Sequence, residues 1–306
     1  MVLKTFYLLI LILFRKGDRS VARGHLKKVL SLVGLIFLLA GCSQVKTGVL
    51  NPQGPVAQKQ YDLIIWSVAL MSIIFVAVVG IFVFVLVKYR ERPDNLDYEP
   101  PEQEGSRWLE IIWTVIPVII VIALAIPTTK TTFELERSPS PEQKPMKIEV
   151  TSVDWKWIFR YPEQGIETVN YIKIPANVPI DFELNAVGAM NSFWVPELGG
   201  QEYTMPGMTM HLWLEADKPG TYLGRSSNFS GKGFTHMTFR VISQEKEDFN
   251  KWISHVKKTA PEQTESDYLK LMKPGNVPEM TYSSYPAVFI KEYEKQQGGE
   301  KHHHHH

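Results

Sequence analysis

The sequence predicts an α+β membrane protein in which two transmembrane helices form an antiparallel hairpin, followed by an extracytoplasmic β-rich domain and a short helical C-terminal segment. Three observations carry this expectation. Two charge-free apolar stretches within the first 130 positions are long enough to cross a bilayer. Between about 147 and 243 the hydrophobic pattern switches to period two, and after Ser243 it switches again to a helical stripe.

The N-terminal 41 residues read as a lipoprotein signal peptide. Apolar runs at 6–14 and 29–40 flank a basic stretch containing Arg15, Lys16, Arg19, Arg23, Lys27 and Lys28. The second run suits a signal h-region, is too short to span, and ends in Leu39-Ala40-Gly41-Cys42. That ending resembles a bacterial lipobox, which implies that Cys42 is diacylated and becomes the mature N-terminus. The length upstream is explained if translation starts near Val21.

Residues 42–130 then hold the lipid anchor and the two spans, at about 62–88 and 108–129. Residues 63–87 carry no charge, and as a helix they extend about 37 Å against a hydrocarbon core of about 30 Å. Residues 111–129 are also uncharged, begin beside Trp108 and Trp113, and contain Pro117, which predicts a kink. Lys88, Arg90, Arg92 and Arg107 lie in or beside the connecting loop, against Lys46 and Lys59 before the first span. The excess places the loop in the cytoplasm. A lipidated Cys42 must be outside, so both signals leave everything after Lys130 on the outer side.

Residues 131–146 contain Ser138-Pro139, Ser140-Pro141 and Lys144-Pro145 and read as a linker. In the domain at 147–243, Ile148 and Val150 alternate with polar neighbours, and Val153, Trp155 and Trp157 alternate in the opposite register, which predicts a bulge near Thr151 and Ser152 with both tryptophans on one side of one strand. Alternation continues at Ile180, Phe182 and Leu184, at Met210, Leu212 and Leu214, and at Met237, Phe239 and Val241. Turn signals at Tyr161-Pro162, Pro175, Gly199-Gly200, Pro206-Gly207 and Pro219-Gly220 separate the runs. Short strands punctuated in this way predict a sandwich or barrel. Residues 244–301 begin with Phe249, Trp252, Ile253 and Val256 at helical spacing, an apolar stripe that docks on the sandwich or on a partner. The remainder is polar and surface-hugging, and residues 302–306 are a histidine purification tag, which implies an exposed C-terminus.

Composition removes several function classes. A single cysteine excludes an internal disulfide, a thiolate zinc site and an iron–sulfur cluster, each of which needs more sulfur ligands. Lysine and arginine total 33 against 32 acidic residues, which leaves no footprint for nucleic acid. Asn228-Phe229-Ser230 matches a glycosylation sequon, but a lipobox implies a bacterial source and makes it coincidental.

Several segments resemble subunit II of the heme–copper respiratory oxidases. Glu110-Ile111-Ile112-Trp113-Thr114-Val115-Ile116-Pro117 is similar to the start of that family's second span, and Val153-Asp154-Trp155-Lys156-Trp157 to its aromatic strand. Ser192-Phe193-Trp194-Val195-Pro196, Met205-Pro206-Gly207, Pro219-Gly220-Thr221-Tyr222 and the loop at 224–231 resemble the segments flanking its metal site. The resemblance runs from about 60 to 243 and implies a cupredoxin-like β-sandwich.

It also implies where a dinuclear copper centre sits in cytochrome c oxidases, whose ligands are two cysteines, two histidines, a methionine and a glutamate carbonyl. Aligned on the flanking residues, Asn191 stands at the first histidine, Ser226 and Ser230 at the cysteines, Asn228 at the glutamate and Phe234 at the second histidine; Met237 alone is retained. Hydroxyls do not replace bridging thiolates for mixed-valence copper, and phenylalanine has no donor atom. The pattern resembles the quinol oxidase branch, as do Asp154-Trp155-Lys156-Trp157 and Tyr161-Pro162-Glu163-Gln164.

That resemblance implies a non-catalytic, copper-free subunit with no metal or cofactor of its own. Hemes and one copper belong to a partner subunit I, smaller membrane subunits complete the complex, and membrane quinol rather than cytochrome c supplies electrons. Menaquinol follows by analogy if the source is Gram-positive. Glu110, at the cytoplasmic mouth of the second span, corresponds to a glutamate implicated in proton entry; without the resemblance it reads as an interfacial acid. Trp155 and Trp157 read as core packing, and Met205, Met208, Met210, His211, His236 and Met237 as packing rather than a Cu(I) site, with Met208 and His211 facing opposite to Met210. The competing expectation is a lipid-anchored binding or sensor module with a degenerate cupredoxin domain.

Overall fold

The computed structural model describes residues 48–89 and 105–300, with side chains as far as 293. The signal-like segment, Cys42, and Arg90 and Arg92 of the interhelical loop lie outside the described residues.

Helix α1 (Pro55–Lys88) starts with proline at its first turn, where the missing N–H costs nothing. Its 34 residues extend about 51 Å, so its outer turns project beyond a hydrocarbon core of about 30 Å. Helix α2 (Arg107–Leu135) contains Pro117 and Pro127. It continues through residues 131–135, which the sequence reading assigned to the linker. Lys59 Nζ lies 2.8 Å from Glu134 Oε2, tying that last turn to α1, and the prolines that end the helix come only from Pro139 onward. Deeper in the pair, Trp66 Nε1 donates to the Ala123 carbonyl at 3.3 Å. Both helices carry an apolar surface exposed along its length, as lipid contact requires.

A β-sandwich follows. One sheet contains β1 (Met146–Val153), β2 (Lys156–Tyr161), β3 (Ile166–Val169), β5 (Ile180–Val187), β8 (Met210–Leu214) and β11 (Met280–Tyr282), in the order β11-β3-β2-β1-β5-β8. The other contains β4 (Tyr171–Pro175), β6 (Asn191–Trp194), β7 (Gln201–Thr204), β9 (Gly220–Ser226) and β10 (Thr238–Gln244), in the order β4-β10-β9-β6-β7. Strands β1 and β5 pair in parallel from Met146↔Ile180 to Val153↔Val187, and β10 pairs in parallel with β4. Strand β5 shows the predicted alternation: Ile180, Phe182 and Leu184 are buried while Asp181, Glu183 and Asn185 face outward.

The predicted bulge is absent. Strand β1 runs in continuous register with β2 to the closing pair Val153↔Lys156, and its last four residues are buried because its outer face is covered as well. The shift in hydrophobic register arises because both faces of β1 are buried, Ile148 and Val150 toward the inter-sheet core and Val153 toward the covered outer face; a two-residue hairpin turn, Asp154-Trp155, follows, in which Trp155 has φ 71°. Trp155 and Trp157 therefore do not share a strand: Trp157 is wholly buried and Trp155 caps the turn.

Aromatic rings fill the space between the sheets. Phe193 stacks on Phe239 at 4.9 Å, and Trp157 meets Phe193 edge-on at 5.4 Å. Such pairs contribute about 0.5–1.5 kcal/mol each beyond the area they bury. Helix α3 (Lys246–Thr259) docks on the sandwich itself, burying Phe249 and Val256 and placing Trp252 5.8 Å from Tyr161.

The stretch after α3 does more than cover the surface. Helix α4 (Glu265–Leu271), opened by a Thr264–Asp267 capping box, strand β11 and helix α5 (Ala287–Glu300) build a second core in which Tyr268, Leu271, Met272, Tyr282 and Ile290 pack against Val153, Ile158 and Val169. Their apolar residues are too sparsely spaced to mark a face in the sequence. Beneath them Arg160 pairs with Glu167 at 3.0 Å, both buried, and Gln263 completes the carboxylate's hydrogen bonding.

Gly224 pairs with Phe239 across β9 and β10, and a Cβ there would lie 2.1 Å from the Phe239 ring. Gly224→Ala is expected to displace the ring stacked on Phe193, cost about 1–3 kcal/mol, and lower the melting temperature by about 3 °C or more. An unchanged thermal unfolding midpoint would contradict this packing.

Candidate functional site

The candidate site lies at one end of the sandwich, where the start of β6, the end of β9 and the loop to the 3-10 turn Phe234–His236 meet. Asn191 and Ser226 are both buried. Ser226 Oγ donates to Asn191 Oδ1 at 3.3 Å or to the Asn228 carbonyl at 3.2 Å, and accepts from the Ser192 N–H at 3.5 Å. Asn191 Nδ2 donates to the Ala189 carbonyl at 3.0 Å, and Asn228 Nδ2 to the Met190 carbonyl at 3.1 Å. A second ring of hydroxyls adjoins: Ser227 Oγ reaches Ser192 Oγ at 2.9 Å, and both bond Gln201 Oε1.

Met237 is buried below this network. Its carbonyl accepts from the Ser226 N–H at 3.1 Å and from Trp157 Nε1 at 3.4 Å, while its own N–H donates to the Phe234 carbonyl. Phe234 turns its ring edge-on to the exposed Phe229 at 5.6 Å. Ser230 Oγ is buried without a hydrogen-bond partner.

Trp155 closes the site from the side, a role the sequence reading missed. Its Nε1 donates to the Ser230 carbonyl at 3.1 Å, and its ring lies against Gly231 and Gly233 so closely that a Cβ on Gly233 would sit 2.3 Å from it. The signal for this contact is the pair of glycines, which leave room for an indole. Beside Trp155, Lys156 is buried; its Nζ donates to the carbonyls of Leu271 and Lys273 at the end of α4, and burial pushes its ammonium pKa down to about 8.

Asn191, Ser226 and Asn228 are joined directly, and Ser230, Phe234 and Met237 connect to them through backbone contacts and Trp155. The donor set does not fit a dinuclear copper centre. It offers amide and hydroxyl groups, the central ones already closed on one another, and a single thioether where such copper needs thiolates. The methionine and histidine collection does not converge either. His236 is exposed, Met208 lies outside β8 and bridges to Met205, and His211 turns to Asp181 on the outer face of the six-stranded sheet that both belong to. Glu110 occupies the exposed first turn of α2, where the positive end of the helix dipole favours a carboxylate, and its N–H bonds the Ser106 carbonyl at 3.1 Å.

Comparison with known proteins identifies the family. The model for the cytochrome c oxidase subunit II transmembrane domain matches residues 44–131, and that for the subunit II periplasmic domain matches residues 159–244. The chain belongs to the cytochrome c oxidase subunit II family. A quinol oxidase subunit 2 of Bacillus cereus is 57% identical over 260 residues, covering 84% of this chain and 89% of the relative. A quinol oxidase subunit 2 of Bacillus subtilis is 47% identical over 260 residues, 84% of this chain and 80% of the relative. Among solved structures, the periplasmic domain of subunit II of cytochrome oxidase from Bradyrhizobium japonicum aligns with 38% of this chain and 96% of its own, at 24% identity and a TM-score of 0.37. Within the family assignment, α1 and α2 are membrane spans and the cupredoxin-like sandwich is extracytoplasmic.

Proposed function

We propose that this chain is the copper-free, non-catalytic subunit II of a bacterial quinol oxidase. The observation that carries the reading is the ring of oxygen and amide donors around Ser226, closed by its own hydrogen bonds. The family's copper centre takes electrons from a soluble cytochrome c, and a chain with this donor set has no such relay. The names of its relatives support quinol as the donor. In the complex, two quinols give four electrons, one oxygen becomes two waters, and protons are translocated. The hemes and copper for that chemistry belong to the partner subunit I, and this chain binds none of them.

The chain's own contribution is to hold and frame. Its spans secure subunit I in the membrane, and the sandwich covers the outer face. Cys42, after a signal at 1–41, provides a lipid anchor, and 147–243 forms the cupredoxin-like unit carried above the spans. Glu110 serves as an entry point for protons from the cytoplasm, since an exposed carboxylate at the start of α2 stays hydrated and exchanges protons rapidly.

Purified complex given a short-chain quinol and, in parallel, reduced cytochrome c is expected to consume oxygen with the quinol alone; uptake driven by cytochrome c would overturn the reading. Glu110→Gln is expected to lower both turnover and protons moved per electron in reconstituted vesicles. If both stay at the wild-type level, Glu110 has no part in proton entry.

A further inference from the structure

The outer face of the six-stranded sheet carries a cluster that the oxidase reading does not use. Asp181 and Glu183 are two residues apart on β5 and so project on the same side, while His211 stands directly opposite Glu183 on β8. One ligand atom from each of the three lies within 4.8 Å of the others, and His211 Nδ1 is 3.0 Å from Asp181 Oδ1. The backbone beneath them is fixed, because Ile180, Phe182 and Leu184, which alternate with the two acids, are buried in the core.

Carboxylates crowd together beside His211. Across the parallel β1–β5 pairing Glu149 lies beside Glu183, and Lys147 lies beside Asp181. Adjacent like charges on neighbouring strands repel. Lys147 Nζ reaches Glu183 Oε1 at 2.5 Å with its side chain 41% exposed, while Arg160, opposite Glu149 on β2, is engaged by Glu167, so Asp181 and His211 have no ion pair to a lysine or arginine among the described residues. His211 is half exposed, which leaves one side of the cluster open to water.

We propose that Asp181, Glu183 and His211 form a surface site for a borderline divalent cation of the zinc class. Two carboxylate oxygens and one imidazole nitrogen on a rigid sheet provide three protein ligands, and water completes the coordination from the open side. A dication takes the place of Lys147 at Glu183 and supplies the additional positive charge that the lysine lacks. Binding there links β5 to β8, the strand that follows the Met205-Pro206-Gly207 turn.

The test is calorimetric titration of Zn²⁺ into the full-length protein in its purified complex, stripped with a chelator, with residues 302–306 replaced by a handle that binds no metal. The wild type is expected to bind one Zn²⁺ more than His211→Ala and Asp181→Asn, each of which weakens that site by about 100-fold or more. Lys147→Met is expected to retain the site and tighten it, which a merely structural ion pair would not predict. Equal stoichiometry and affinity in wild type, His211→Ala and Asp181→Asn would overturn the proposal, as would loss of the site in Lys147→Met. Unchanged melting temperatures in chelator confirm that the variants are folded.

Discussion

The arrangement depends on a backbone clamp at the outer end of the first span. The Gln53 N–H donates to the Glu197 carbonyl at 2.7 Å, and the Asp217 N–H donates to the Gln53 carbonyl at 3.0 Å, so the chain entering α1 is threaded between two loops of the sandwich. Gly54 makes the passage possible: any Cβ there would lie 1.9 Å from the Glu215 carbonyl oxygen. Val56 and Ala57 are buried in the next turn, with Val56 against Gly199. Ser140, after α2, bonds the buried Glu215 at 2.7 Å and ties the second connection to the same point. The domain is thus seated on the spans by both of its membrane connections.

At the other end of strands β6 and β9 the sandwich is held by packing and by polar side chains. The aromatic stack of Trp157, Phe193 and Phe239 fills the interior, and Ser152 Oγ meets Thr204 Oγ1 at 2.7 Å between the sheets. Neither requires a metal. In the copper-free reading proposed above, short polar side chains that satisfy one another and an indole over the glycine loop occupy this end. The left-handed backbone of Trp155 is uncommon for a bulky residue. Its hydrogen bond to Ser230 and its packing on Gly233 are what hold it there.

Much of this was legible in the sequence where periodicity was sustained. The two spans, the alternation in β5 and the stripe of α3 all repeat over enough residues to define a face. Legibility failed where long-range contacts decide. The opposed registers on either side of Thr151 and Ser152 look the same whether a bulge separates them or one regular strand is buried on both faces, and only the continuous pairing down to Val153↔Lys156 distinguishes the two. Tyr268, Tyr282 and Ile290 are scattered single apolar residues until the strand they cover is known. His211 is 30 positions from Asp181 and meets it and Glu183 only through the β5–β8 register.

The central claim is that oxygen and amide donors have taken the place of a copper relay. It is tested most directly by counting copper against heme in the intact purified complex after exhaustive dialysis. The account predicts one copper per complex, all of it in the partner subunit. Three per complex, with two lost on mutation of Met237, would mean that this chain holds a dinuclear centre after all and would contradict the account.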